Sequence, residues 1–296
     1  MFYIILSICC SVTVSVLLKL AKRYQIDVYQ AITWNYSAAI FLTWFFFRPQ
    51  LGSLPNAPIL TYLPLGILFP LLFIVIATSV RVSGIVRTDV AQRLSLFIPV
   101  MAAFLIFDEK PNLIKIVGIV IGFLGIICLI PWRQKGAVRR RPSNSWFYLL
   151  IILLGMGFID VLLKNVAKIT GISFGTSLFI IFILAFIVSI IGLIYLIIAR
   201  KTRFSWPHIL IGWVLGAANF GNILFYIKGL KALANSPSIV FSSMDIGVIV
   251  LGSFVGVFIF KEKLSRLNLV GIILAILAIM IIYYPEIFKY TGVSIF

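Results

Sequence analysis

The chain has 296 residues, of which 62% are hydrophobic and 11% are charged, and its mean hydropathy is +1.17. Soluble domains carry about twice that share of charged residues, so the composition excludes an ordinary soluble enzyme. The formal net charge of +17 reflects scarce acids and not a nucleic-acid surface, because most Lys and Arg residues lie between apolar runs.

Ten apolar runs follow one another along the chain, and each is long enough to cross about 30 Å of hydrocarbon as a helix. The connections between them are short, apart from a basic one over residues 132–145. We therefore predict an all-α, multi-pass protein of the cell (plasma or inner) membrane with ten transmembrane helices. The predicted spans cover residues 2–21, 28–47, 60–80, 84–107, 113–131, 146–168, 176–199, 208–227, 238–260 and 266–284.

The second half of the chain repeats landmarks of the first. The segment Val16-Leu17-Leu18-Lys19 recurs 145 residues later as Val161-Leu162-Leu163-Lys164, and Phe107-Asp108-Glu109-Lys110 recurs 153 residues later as Phe260-Lys261-Glu262-Lys263. Five spans in each half make the second half enter the membrane from the opposite side, and such inverted repeats are typical of secondary transporters. We predict a first repeat over residues 1–131, a linker over 132–145 and a second repeat over 146–296. Because the first run pairs with the sixth, we expect it to be a retained helix and not a cleaved signal peptide.

A fourth span with Pro or Gly, then Phe-x-Glu-Lys, then a fifth span with Gly, resembles the EamA module of the drug/metabolite transporter superfamily. The first half has Pro99, Gly118 and Gly125 around that motif, and the second has Gly252 and Gly271. The resemblance covers the chain as two modules and is specific for the fold. It implies ten helices around a central cavity, and movement of small solutes such as amino acids.

Charged residues deep in two spans are candidates for the cavity, since such residues are costly in lipid without a partner. Asp89 and Arg93 lie four residues apart in the fourth span, with Arg93 about 13 Å along it. Asp160 and Lys164 repeat this spacing in the sixth. Each pair is interpreted either as a charged part of the cavity or as an ion pair that holds the helix in place.

Three further polar residues lie in the eighth and ninth spans. Asn219 and Asn222 share a helix face and could bind a solute or hydrogen-bond neighbouring helices. Asp245 has no basic residue within helical reach in its own span, so we predict that it is the protonatable acid, with Asp160 as the other candidate.

Two prolines and two Glu-Lys pairs are candidates for moving parts. Pro70 and Pro99 lie inside apolar runs and are predicted to kink their helices, which would serve as hinges. Glu109-Lys110 lies at a span end, as does its counterpart Glu262-Lys263, and a salt bridge and a gate explain these pairs equally well. Near the span ends, 15 Lys and Arg residues lie on the side opposite the N-terminus and 8 on its own side. That charge count favours termini outside the cell, whereas the resemblance implies termini in the cytoplasm.

The predicted function is secondary transport of a small polar metabolite by alternating access, with a proton as the coupling ion in one form of the hypothesis. The expected partners are therefore the solute and the bilayer, without nucleic acid. A channel or a lipid-translocating protein is the alternative. We expect no enzymatic activity, metal site or cofactor, since the chain has one His, three scattered Cys and no phosphate-binding loop.

Overall fold

The computed structural model describes residues 2–23, 26–49, 52, 58–82, 85–110, 112–129, 145–199, 204–259 and 266–291. Within these ranges the chain forms eleven α-helices, each built on a long run of apolar residues or on one half of such a run. Their bounds are α1 Phe2–Arg23, α2 Val28–Phe47, α3 Ile59–Val82, α4 Ile85–Leu94, α5 Phe97–Leu105, α6 Leu113–Leu129, α7 Ser145–Lys168, α8 Phe174–Ile198, α9 Trp206–Ala232, α10 Pro237–Phe258 and α11 Arg266–Thr291.

Helices long and apolar enough to cross a membrane make up much of the described chain. By length and composition, five qualify, namely α3, α7, α8, α9 and α10, and α1, α4–α5, α6 and α11 contain shorter apolar stretches. Large apolar side chains cover the outside, including Leu60 (90% exposed) and Phe258 (77% exposed). An outer surface of this kind is suited to lipid and not to water.

The predicted fourth span, residues 84–107, is not one helix but two. Pro99 has no N–H to donate to the Ser95 carbonyl, which accepts from the Ile98 N–H at 3.0 Å instead. The Leu96 N–H likewise bonds to the Arg93 carbonyl at 3.3 Å, so the chain tightens between α4 and α5. Pro70 lies inside α3, which continues through it. The hinge role of both prolines stays a prediction.

Most of the packing joins helices of residues 2–129 to helices of residues 145–291. Helix α1 packs against α9 and α10, and α7 packs against α3, α4 and α5. Helix α2 contacts α8 and α9, α3 contacts α8, and α6 contacts α11. The apolar core therefore lies between the two parts of the chain, with Tyr36, Leu65, Phe182 and Phe241 fully buried in it.

The closest approach of α9 to α2 depends on glycine. A Cβ atom at Gly216 would collide with the Asn35 carbonyl oxygen and would lie 2.7 Å from the Ala38 Cβ. A Cβ at Gly212 would lie 2.9 Å from the Ala31 carbonyl oxygen. The Gly212-x-x-x-Gly216 spacing thus lets two backbones touch, as small residues do at helix contacts in membranes.

Candidate functional site

A cavity of about 310 Å³ lies between the two parts of the chain. Six helices contribute to it: α1, α3, α4, α7, α9 and α10. Its polar lining is formed by Ser11, Ser15, Gln92, Arg93, Ser95, Asp160, Asn219, Asn222, Tyr226 and Asp245. Ten polar residues therefore line one cavity inside a bundle that is otherwise largely apolar.

Five of the predicted site residues come together in this cavity, although they come from four helices. They are Arg93 on α4, Asp160 on α7, Asn219 and Asn222 on α9, and Asp245 on α10. Asp245 lies within electrostatic range of both Asp160 and Arg93. The cavity therefore offers two carboxyl groups and one guanidinium group to whatever enters it.

Asp160 is held by a residue that the sequence analysis did not single out. The Tyr226 hydroxyl donates a hydrogen bond of 2.9 Å to Asp160 Oδ1, and Tyr226 itself lines the cavity. The signal that could have found it is the helical spacing of Asn219, Asn222 and Tyr226, which are three and four residues apart on one face of α9.

Asn222 belongs to the cavity and also joins two helices. The buried Ser7 hydroxyl on α1 lies 2.9 Å from both the Asn222 carbonyl oxygen and its side-chain Oδ1. Asn222 therefore bonds α9 to a neighbouring helix, as one interpretation of the amide pair predicts, and its binding of a solute stays a prediction. Asn219 lines the same cavity and is 5% exposed.

Lys164 lies outside the cavity lining and is fully buried near the end of α7. Its ammonium group donates to the carbonyls of Leu230 at 3.4 Å and Ala234 at 2.7 Å. It thus caps the end of α9, where the helix dipole favours a cation. The i, i+4 spacing with Asp160 does not produce an ion pair, because each side chain bonds to α9 or to the turn after it. The side chain of Asp89, the remaining candidate, lies outside the described residues.

We expect Lys164→Met to lower the free energy of unfolding by about 2 kcal/mol, because two carbonyls lose a charged donor in a buried place. The measurement is the thermal midpoint of the purified protein in detergent. Lys168→Met, on the same helix, is the control, since Lys168 is exposed and only lies over the Phe107 ring at 4.5 Å. Equal midpoints for the two variants would contradict the capping role.

Pairs of residues at two constant spacings in the chain line the cavity. Four positions on α1 and four on α7 are separated by 145 residues, and four on α3 and four on α9 are separated by 150. The polar members of these pairs lie mainly on the second half, so α3 forms an apolar wall opposite them. The pairs are Ser11 and Met156, Val14 and Ile159, Ser15 and Asp160, Leu18 and Leu163, Phe69 and Asn219, Leu72 and Asn222, Phe73 and Ile223, and Ile76 and Tyr226.

Three comparisons with known proteins bear on this site. The model of the EamA-like transporter family matches residues 1–131. An uncharacterized protein of Haemophilus influenzae is 43% identical over 297 residues, which cover 97% of this chain and 99% of that protein. A crystal structure of a protein with 11% sequence identity superposes with a TM-score of 0.72 over 99% of this chain and 98% of the other. At that identity the superposition shows a shared fold alone.

Proposed function

Because the chain belongs to the EamA-like transporter family, and is an integral, multi-pass membrane protein, we propose that it is a secondary transporter. It moves a small polar metabolite, such as an amino acid, across the cell membrane by alternating access. The observation that carries this proposal is the cavity between the two parts of the chain, where Arg93, Asp160 and Asp245 meet. Charges at this depth are costly in lipid unless they are partnered, and they commonly mark the path of a solute or an ion.

The proposal includes ten spans arranged as two inverted five-helix repeats, over 1–131 and 146–296, joined by the linker 132–145. The helix contacts support this arrangement, because most contacts between a helix of the first half and a helix of the second have a counterpart in which the roles of the two halves are swapped. The packing of α1 on α9 and α10 corresponds to that of α7 on α3 and α4–α5, and α2 on α9 corresponds to α8 on α3. The eight pairs of cavity-lining residues also support two repeats, because each pair joins a residue of the first half to one at a constant spacing in the second. Rocking of two such halves about a central site is the motion that inverted repeats provide.

The chemistry of the cavity suggests how a solute is held. Arg93 suits a carboxylate or phosphate group, and Asp160 and Asp245 suit an ammonium group or a proton. The apolar wall on α3, which includes Phe69 and Phe73, suits the less polar side of the same molecule. Two carboxyl groups that share one cavity are also groups that can carry a proton through it. Proton coupling through Asp245 or Asp160 is therefore part of the proposal.

Solute counterflow in liposomes tests the function. Metabolites whose levels differ between cells that lack the protein and cells that overproduce it are chosen as candidate solutes. They are tested in labelled form together with the common amino acids. We expect at least one of them to show saturable counterflow into liposomes that contain the purified protein. Non-saturable flux would favour a channel, and movement of labelled lipid without solute flux would favour a lipid-translocating protein.

Arg93→Gln is expected to lower counterflow of an anionic or zwitterionic solute by about tenfold or more, since a charged hydrogen bond to the solute is lost. The measurement compares initial rates at several solute concentrations with those of the unchanged protein. The control is Lys110→Gln, which removes a cation from an exposed side chain outside the cavity. Equal loss in both variants would mean that Arg93 has no special role.

A further inference from the structure

A buried group of four side chains, the Glu109 cluster, joins the connection between α5 and α6 to the start of α10. Glu109 Oε1 accepts hydrogen bonds from Lys115 Nζ at 3.1 Å and from the Ser238 hydroxyl at 2.6 Å. Glu109 Oε2 accepts from the Ser238 N–H at 2.9 Å, and Lys115 Nζ also donates to the Ser236 hydroxyl at 3.0 Å. Two residues of the first half are thus bonded to two residues of the second.

The first turn of α10 takes its cap from the other half of the chain. Ser236 stands at the N-cap position, but its side chain makes no capping hydrogen bond. Pro237 follows and has no N–H to satisfy. The Glu109 carboxylate accepts the next N–H, that of Ser238, at the positive end of the helix dipole. Loss of Glu109 would therefore leave the start of α10 without this partner.

The backbone directs Glu109 inwards. Asp108 adopts a left-handed conformation with φ of 54°, and the Glu109 N–H turns back to the Ala103 carbonyl at 3.1 Å. Glu109 is 4% exposed and Lys115 is 5% exposed, whereas Lys110 points to the surface. The acid therefore pairs with Lys115 and not with its neighbour in sequence. Buried charges of this kind are strongly destabilised when one partner is removed.

Other contacts close the same end of the molecule. The Lys164 ammonium group holds the Ala234 carbonyl, just before the Glu109 cluster. The Lys168 ammonium group on α7 lies 4.5 Å from the centre of the Phe107 ring, so a residue of the second half again meets one of the first. The central cavity lies deeper, towards the middle of α7 and α9. Along α7 and α9, these contacts therefore lie between the cavity and this end of the molecule.

We propose that the Glu109 cluster is a latch that keeps the two halves closed at this end, and that Glu109 must leave α10 before the cavity opens there. The inference rests on the proposed function, since an alternating-access cycle requires that end to open. The second repeat has Glu262 in place of Glu109 but Asn268 in place of Lys115.

Distances between spin labels at Ile106 and Ala232 test the latch. Both residues are exposed, and they lie at the ends of α5 and α9 on either side of the Glu109 cluster. Cysteines are introduced there after Cys9, Cys10 and Cys128 are changed to Ala, and the protein is measured in lipid nanodiscs without solute. We expect one main short distance in this parent protein. In Glu109→Gln we expect the ratio of a longer distance to the short one to rise about tenfold.

Two further variants keep the test decisive. Lys110→Gln removes the adjacent exposed charge and should leave the distances unchanged. Ser238→Ala removes only the hydroxyl bond to Glu109, so it should fold and raise the ratio by about threefold. If Glu109→Gln is not monodisperse, Ser238→Ala decides alone. Unchanged distances in folded Glu109→Gln, or in Ser238→Ala when it stands alone, would overturn the latch. Because no solute is present, this outcome is independent of whether counterflow succeeds.

Discussion

Asp245→Asn is expected to abolish the stimulation of uptake by a pH gradient while solute exchange at equal pH continues. The amide keeps the size of the side chain but cannot carry a proton. Asp245 shares its cavity with Asp160 and lies within electrostatic range of that acid and of Arg93, so under the proposed function its charge acts on the bound solute. The measurement compares gradient-driven uptake with counterflow in the same batch of liposomes.

Asp160→Asn is the matched comparison, because Asp160 is the second acid of the cavity and is bound by Tyr226 at 2.9 Å. If gradient-driven uptake survives Asp245→Asn and is lost in Asp160→Asn, the coupling role belongs to Asp160. If it survives in both single variants and in the double variant, proton coupling through this cavity is wrong. Loss of counterflow as well would mean that the acid binds the solute and does not only carry a proton.

Gly216→Leu is expected to prevent normal packing of α9 against α2 and to cost about 3 kcal/mol or more of folding free energy. Even a Cβ atom at this position collides with the Asn35 carbonyl oxygen, and backbone cannot move aside as a flexible side chain can. The measurement is the fraction of protein that elutes as a single species after extraction, together with its thermal midpoint.

Gly252→Leu is the control for the same change of size in another helix. A Cβ at Gly252 has no atom within 4 Å among the described residues, so a larger side chain has space there. We expect a yield and a midpoint close to those of the unchanged protein. Similar losses in both variants would show that leucine is harmful for reasons unrelated to the contact between α9 and α2.

Several helices could be predicted from the sequence almost to the residue. Residues 28–47 were predicted as a span and form α2, and the span predicted over 146–168 is α7, which begins one residue earlier. The apolar runs mark these helices because lipid-facing and core-facing positions are both apolar. The break between α4 and α5 was harder to predict. A proline inside a helix predicts a kink, but it does not predict which N–H will donate to the carbonyl that the proline leaves without a donor.

The candidate site could be predicted in part, because polar residues stand out within apolar runs. Arg93 and Asp160 could be chosen because they are charged and lie deep in their spans. Asn219 and Asn222 could be chosen because they share a helix face, and Asp245 because its own span has no basic residue within reach. All five line one cavity. Lys164 was a candidate because it lies four residues after Asp160, yet it bonds to carbonyls 66 and 70 residues later in the chain. Every residue has a backbone carbonyl, so the sequence does not indicate which carbonyls will accept a hydrogen bond from Lys164.

The uneven lining of the cavity has a consequence for stereochemistry. A guanidinium group on α4, acids on α7 and α10, and apolar side chains on α3 line the cavity. Three unlike contacts in a fixed arrangement are sufficient to distinguish a compound from its mirror image. Under the proposed function, the two enantiomers of one solute would therefore be transported at different rates. Uptake from a racemic mixture would leave the solution outside the liposomes enriched in the slower enantiomer.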